Sequence, residues 1–331
     1  MTARAVCFTG PGEVAIRERS VPEPGPDEVR VRATVSAISP GTELLVYRGD
    51  IERGVAVDES IDALSGSLSY PVEYGYATVG EVIAAGSEAT QLRGRQVLTF
   101  HPHASEFVVP AESVVPVPDL SSERAALLPN AETAVNLALD GEPAVGQRAV
   151  VFGQGVVGLL TASLLAEYPL EELVTVEPQD NRRELSTAIG ADRSLRPERA
   201  AEGPWQGEAD ADLAYELSGN PDALDAAIDA TGYAGRIVVG SWYGTKPVEL
   251  SLDSEFHRSR IELVSSQVST IAPARRGRWD KDRRLEVAKT HLGRIDSKPL
   301  ITHRLPFEEA ARAYELLDKR PGEAVQVVLT Y

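Results

Sequence analysis

The stretch "AVVFGQGVVGLLTASLLAE", residues 149–167, constrains the fold more than any other part of the chain. A short β-type run ends in Gly153-Gln154-Gly155-Val156-Val157-Gly158, which opens an apolar helix, and Glu177 closes the following strand. The order has a physical logic. Gly153 permits a tight turn, Gly155 lets the backbone approach a pyrophosphate, and Gly158 allows helix and strand to pack closely. The helix N-terminus then offers free N–H donors and the positive end of its dipole to phosphates. Strand, turn, helix and acid together predict a dinucleotide site at the edge of a parallel sheet. Glu177 is placed to accept ribose hydroxyls and to repel a 2′-phosphate, which favours NAD. NADP is the alternative, because Arg182 and Arg183 follow in "EPQDNRRE".

A parallel sheet needs alternating strands and helices, and the sequence supplies them from about residue 130. "ELVTVEP", "RRELSTAIGA", "ADLAYELSG", "PDALDAAIDAT" and "GRIVVGSWYG" follow one another with short loops. Residues 1–128 read differently, as short β runs punctuated by Gly and Pro, among them "EVRVRATVSAI" and "ATVGEVIAAG". Between them "SSERAALLPNAETAVNLALDG" has helical spacing, with Ser122 and Glu123 placed as cap and first-turn acid. The closing strand "EAVQVVLTY" completes the N-terminal β region. The expected fold is α/β: a β-barrel domain of residues 1–129 and 268–331, and a doubly wound parallel-sheet domain of residues 130–267.

Composition narrows the function. Two domains suit 331 residues, and no apolar run approaches the ~18 residues of a membrane span. The start, "MTARAVCFTGPGEVAIRERS", lacks a basic end leading into an apolar stretch, so no signal peptide is expected and the cytoplasm is the expected location. Cys7 is the only cysteine, which excludes internal disulfides and zinc sites built from several cysteines. The net charge of −17 disfavours nucleic acid and anionic membranes as partners. With 5 Lys against 28 Arg, the acidic surface also reads as halophilic, with ordinary acidic solubility as the alternative.

Besides the glycine turn, "SPGTE" at 39–43, "YPVEYGYATVGEVIAAG" at 70–86 and "GRQVLTFHPHASEFVVP" at 94–110 carry a likeness along the whole chain. The chain resembles the medium-chain dehydrogenase/reductase superfamily, with a GroES-like β domain, an inserted Rossmann domain and a return to the first domain. The "SPGTE" wording is similar to branches that include bacteriochlorophyllide hydroxyethyl dehydrogenases. Zinc-dependent members have Cys-x-Thr/Ser-Asp where this chain has Pro40-Gly41-Thr42-Glu43, and Gly-His-Glu where it has Gly75-Tyr76-Ala77. Proline and alanine cannot ligate zinc, so the resemblance implies a zinc-free member.

Without zinc, positioning, a proton acceptor and hydrogen bonds must lower the barrier. By position, the resemblance implies that Thr42 starts a proton relay, that Tyr76 sits near the reacting oxygen, and that Glu43 orients it through a Tyr76–Glu43 hydrogen bond. His101 falls on the pocket lining and is expected to shuttle the proton, while His103 reads as a bystander. Plain structural readings stand beside these: Thr42 as a helix cap, Tyr76 as a core aromatic, His101 as a loop histidine and Glu43 as a helix-start carboxylate. Thr133 and the backbone of Val239-Gly240-Ser241 are expected beside the nicotinamide. The basic segment "ARRGRWDKDRR", residues 274–284, suggests that some of Arg275, Arg276, Arg278 and Arg283 beside Trp279 hold an anionic substrate group, a carboxylate or phosphate; the alternative is a solvated loop. The resulting expectation is a zinc-independent oxidoreductase that moves hydride between NAD(P) and a secondary alcohol or ketone of a small molecule. An NADPH-dependent enone reductase and a non-catalytic NAD(H)-binding module are the alternatives. A homodimer or homotetramer is expected from the resemblance alone.

Overall fold

Alternation of strand and helix after residue 147, and of strand and turn before residue 120, is how the chain is built. A computed structural model describes residues 2–52, 68–200, 210–252 and 254–331. In order they form β1 (Thr2–Gly10), β2 (Glu13–Ser20), β3 (Glu28–Ala37), α1 (Pro40–Arg48), β4 (Thr78–Ala85), β5 (Gln96–Thr99), β6 (Glu106–Pro110) and β7 (Val114–Pro116). Next come α2 (Ser122–Ala126), α3 (Leu128–Gly141), β8 (Arg148–Phe152), α4 (Val156–Leu165), β9 (Glu172–Val176), α5 (Asp180–Ala188), β10 (Arg193–Leu195), α6 (Pro197–Ala200) and β11 (Ala211–Glu216). The remainder is α7 (Pro221–Asp229), β12 (Thr231–Val239), α8 (Ser254–Arg258), β13 (Glu262–Ser265), α9 (Lys281–Arg294), β14 (Ile301–Pro306), α10 (Ala310–Lys319) and β15 (Gln326–Thr330).

The chain divides into two compact units, Met1–Pro129 with Ser297–Tyr331, and Asn130–Asp296. The second boundary lies later than the 267/268 expected. The reason is Arg284 on α9, which is tied within the second unit to Glu132 and Asn136 of α3.

In the first unit a seven-stranded sheet runs β14-β15-β3-β4-β5-β7, with β6 also on β3. The late strand β15 pairs antiparallel with β3, Val328 opposite Ala37, which returns the chain to its first sheet. The β1–β2 ribbon is joined to this sheet by backbone bonds from Val6 to His103 and from Phe8 to Val72. One core gathers Phe8, Ile38, Val46, Tyr314 and Leu329 under α1 and α10; a second gathers Val31, Val82, Val97 and Phe107. The connection "GDIERGVAVDESIDALSGSLSYP", residues 49–71, lies largely outside the described residues.

The second unit carries a parallel sheet in the order β10-β9-β8-β11-β12-β13. Its strands face both ways, because side chains alternate across a pleat. Val150 and Phe152 join one core with Leu224 and Ile228 of α7, while Ala149 and Val151 join the other with Leu137 of α3 and Leu165 of α4. Burial on both faces is why these strands read as continuous apolar runs. The helix expected across residues 121–141 is two helices. The missing N–H of Pro129 and its ring interrupt the ladder after α2, and the cap is Ser121, whose Oγ accepts from Arg124 N, instead of Ser122.

Candidate active site

The register of the parallel sheet sets one row of residues at its carboxyl edge. Phe152 pairs with Val176 and with Glu216, and Glu216 pairs with Val239. Gly153, Glu177, Leu217 and Gly240 therefore follow in line, at the point where the strand order reverses and where such sheets bind ligands. Gly153 has φ of +89°, and a Cβ there would sit 2.7 Å from the Ser218 backbone. A Cβ on Gly158 would lie 1.9 Å from Gly153 O, so nothing larger than glycine allows this approach of helix to strand. A Cβ on Gly155 would meet nothing within 4 Å, which leaves the mouth of the turn open. Gly155 is also the N-cap of α4 and brings no side chain to cap its first N–H groups, so Val156 and Val157 begin an apolar helix with donors to spare.

Glu177 is buried at the end of β9, where its carboxylate accepts from Gln154 N at 2.8 Å and Gln179 N at 3.1 Å. Arg182 Nη1 stands 3.8 Å from the same carboxylate, and Arg183 donates to Glu177 O. Both arginines thus turn toward Glu177. Gln154 Oε1 is buried beside this turn without a hydrogen-bond partner, a site that an incoming hydroxyl would satisfy. Beyond it, Gly240 N donates to Glu216 O, and Ser241 Oγ accepts from Gly219 N at 2.9 Å. Tyr243 OH donates to Glu216, and burial together with that carboxylate pushes the phenol's pKa up. Thr133 is half-buried on α3, next to Glu132.

The basic segment turns inward more than its composition suggests. Arg275 pairs with Glu142 at 2.7 Å, and Arg276 donates to Ile271 O. Arg283, not Arg278, stacks its guanidinium over Trp279 at 4.3 Å. Arg284 is fully buried and binds Glu132, Asn136 and the carbonyls of Val268 and Thr270. Arg276, Arg278 and Arg283 all have exposed side chains, and of these Arg276 and Arg283 donate to backbone carbonyls.

In the first unit a second polar cluster forms at the start of α1. Ser39 is the N-cap and Pro40 occupies the first turn, where its missing N–H costs nothing. Glu43 Oε1 reaches back to accept Ser39 N–H at 2.7 Å, in the manner of a capping box. Glu43 Oε2 accepts from Tyr314 OH at 2.5 Å and from His103 Nε2 at 3.0 Å. The expected Tyr76–Glu43 bond gives way to one through Ser39, for Tyr76 OH donates to Ser39 Oγ at 2.6 Å and lies 3.4 Å from Thr42 Oγ1. Thr42 and Tyr76 are half-buried, and Tyr74 packs edge-on against Tyr76. The Tyr76 hydroxyl is thus in reach of two others, beside a carboxylate that already accepts three bonds.

The two histidines reverse the expected roles. His101 is 4% exposed, its ring stacked on Phe107 at 3.8 Å and its Nδ1 bonded to Pro102 O. Burial pushes it down to about 3, against a weaker upward pull from the Pro102 carbonyl. A ring so enclosed stays neutral at physiological pH and is poorly suited to the shuttle expected of it. His103, read as a bystander, is fully buried and bridges Glu43 and Ser36. Ser39, His103 and Tyr314 were missed. Only Ser39 had a local signal, a cap residue directly before a proline.

A family model described as zinc-binding dehydrogenase matches residues 156–285. Sorbitol dehydrogenase 1 of Saccharomyces cerevisiae is 23% identical over 373 residues, covering 98% of this chain and 97% of the relative. Among solved structures, an alcohol dehydrogenase of Escherichia coli CFT073 complexed with NADH superposes with a TM-score of 0.79 at 20% identity, covering 100% and 99% of the two chains. The 2R,3R-butanediol dehydrogenase of Bacillus subtilis gives 0.80 at 19% identity, covering 99% of each. Along its full length the chain is thus similar to alcohol dehydrogenase-like, NAD(P)-dependent members of the medium-chain dehydrogenase/reductase superfamily and shares their fold, with the glycine turn set beside the reversal of strand order.

Proposed function

We propose that this enzyme interconverts a secondary alcohol and its ketone with NAD in preference to NADP, and that it does so without a catalytic metal. The observation that carries the reading is the state of Glu43. Both its oxygens are taken up, by Ser39 N–H, Tyr314 OH and His103 Nε2, and Pro40 and Ala77 carry no donor atom in their side chains. Among the described residues, no group of three or more His, Cys, Asp or Glu is placed to hold a metal ion. A tetrahedral zinc with three protein ligands does not fit such a donor set.

A nicotinamide dinucleotide does fit the second unit. The open mouth at Gly155 and the uncapped start of α4 would take the pyrophosphate, and Glu177 with the unpartnered Gln154 Oε1 would face the ribose. A carboxylate offers about four lone-pair sites, so Glu177 can accept ribose hydroxyls while keeping its two backbone bonds. Thr133 and Val239-Gly240-Ser241 would line the nicotinamide end. The bound dinucleotide supplies the hydride acceptor. The chain's own part is the proton: the alcohol O–H bonds to the Tyr76 phenol, and as the hydride leaves, the proton passes to Tyr76 and on through one of its two hydroxyl partners, Ser39 or Thr42, to solvent. Hydroxyls that are half-buried and already bonded to one another hold that path in place. The first unit would thus be the catalytic domain and the second the cofactor domain.

For an anionic substrate group the support narrows to Arg278, since Arg275 and Arg276 are engaged by Glu142 and a backbone carbonyl. The experiment is turnover with NAD on sorbitol, 2,3-butanediol and sugar acids, followed by absorbance of reduced nicotinamide, alongside elemental analysis of the purified protein. Turnover that survives chelation supports the reading. One tightly held zinc per chain whose removal stops turnover overturns it. Activity on enones with NADPH alone would instead make the chain a reductase, and dinucleotide binding without turnover would make it a binding module.

A further inference from the structure

The Tyr76 phenol is useful only if it points one way, and what holds it is a buried chain of hydrogen bonds ending in an imidazole. Glu43 and His103 both have fully buried side chains. A carboxylate only accepts, so the bond between them places the proton on His103 Nε2. His103 Nδ1 is then the acceptor and takes the hydrogen of Ser36 Oγ at 2.7 Å. Ser36 Oγ in turn accepts from Tyr331 OH at 2.9 Å. One tautomer is selected by partners on both sides, and each partner comes from a different part of the sequence.

The imidazole also has a slot made for it. Gly75 has φ of +112°, and a Cβ there would lie 2.5 Å from His103 Nε2. His103 therefore rests against the backbone of the residue that immediately precedes Tyr76. The same ring also donates to the carboxylate that accepts the Ser39 N–H, and Ser39 Oγ accepts the hydrogen bond of the Tyr76 hydroxyl. Both the donor and the acceptor of the Tyr76–Ser39 bond are thus anchored through one ring. An apolar side chain of similar volume would fill the slot but leave the buried Glu43 short of a donor, so packing alone does not account for the residue.

We propose that His103 is a positioning residue for the reaction assigned above, setting the direction of the Tyr76 phenol through Glu43 and Ser39. The inference rests on that assignment for its consequence in turnover, but not for its geometry. Full-length protein carrying 3-fluorotyrosine allows the phenol to be watched directly by fluorine NMR, with the Tyr76 resonance identified by its loss in Tyr76→Phe. His103→Ala is expected to move that resonance, and His103→Gln, whose amide can donate to Glu43 as Nε2 does, to restore most of its position. His257→Ala, at an exposed position of α8, is expected to leave it unmoved. If His103→Ala does not fold, Ser36→Ala strips the Nδ1 partner, and with it the acceptor of Tyr331 OH, while leaving the ring in place, and is expected to move the resonance in the same sense.

In turnover of sorbitol or 2,3-butanediol with NAD, His103→Ala should lower kcat about tenfold with KM little changed, the equivalent of about 1.4 kcal/mol. The same substitution should cost nothing more in the Tyr76→Phe background. A Tyr76 resonance unmoved by His103→Ala and Ser36→Ala overturns the positioning role, as does an equal loss of rate in both backgrounds. Full turnover by Tyr76→Phe, with the resonance still responding to His103, would sink the assigned proton path and leave the positioning intact.

Discussion

The glycine turn of the second unit and the Glu43 cluster of the first are both buried polar constructions, yet they are assembled from opposite materials. At the turn, the donors are backbone N–H groups within one βαβ segment, and the longest bond, Gln154 N to Glu177, spans 23 residues. In the cluster every anchor but one is a side chain, and partners lie 271 residues apart for Tyr314 and Glu43 and 295 for Tyr331 and Ser36. A site made of backbone depends on the absence of side chains, and a site made of side chains depends on tertiary closure. The first should therefore fail when volume is added, and the second when a polar atom is removed.

The strongest test of that contrast is Gly158→Val. The added atoms would enter the space of Gly153 O, only 1.9 Å from the position of a Cβ, and the helix must move off the strand. We expect dinucleotide affinity, read by titration of NADH fluorescence, to fall about 100-fold, or about 2.7 kcal/mol, together with a loss of stability of about 1–3 kcal/mol. Affinity within threefold of the wild type would mean that the turn does not hold the pyrophosphate. The converse test is Glu43→Leu, which keeps volume and removes the acceptor of three donors. Leaving those donors buried and unpaired should cost about 3 kcal/mol in urea unfolding, with NADH affinity unchanged. Equal damage to both readouts would erase the distinction between the regions.

This contrast also explains what the sequence disclosed. The parallel sheet was legible because each strand, turn and helix of the second unit is specified within a few residues, and the sheet order follows from the handedness of βαβ crossings. The cluster was not, because nothing near His103 announces Glu43, Ser36 or Gly75 as neighbours. His101 drew attention instead, since two histidines one residue apart are indistinguishable until the strand places them. Arg284 was grouped with a basic loop, although its spacing to Ala288, His291 and Leu292 puts all four on one helical face, and all four are buried. Helical periodicity starting at Asp280, the N-cap of α9, would have separated it from Arg275 and Arg276.

His101 sharpens the comparison through pH. Its folded-state pKa, pushed down to about 3 by burial, lies below the ~6.5 of an unfolded histidine. Between these values the unfolded chain binds a proton that the folded chain does not, so stability falls as pH falls. The slope is about 1.4 kcal/mol per pH unit. Urea unfolding of wild type and His101→Asn between pH 6.5 and 4.5 should show the wild type losing about 2 kcal/mol more than the variant. Parallel curves would mean that the ring is hydrated and open to protons, and the shuttle role would return to it.

The smallest expected effect concerns which dinucleotide the backbone-made site prefers. Glu177 combines two functions that Glu177→Gln separates: it accepts N–H bonds from Gln154 and Gln179, and it carries the negative charge that faces Arg182 at 3.8 Å. The amide keeps one acceptor oxygen but loses the charge, so repulsion of a 2′-phosphate disappears and Arg182 is released to meet it. The ratio of NADPH to NADH dissociation constants should fall about tenfold, or about 1.4 kcal/mol, measured by fluorescence titration of each at the same ionic strength. Because surface charges are screened over about 8 Å at physiological salt, the shift should persist at 0.15 M ionic strength if Arg182 contacts the phosphate directly, as so buried a pair requires. A ratio that does not move would mean that the carboxylate acts only as a brace for the turn, and cofactor preference would then have to be sought elsewhere along the carboxyl edge of the sheet.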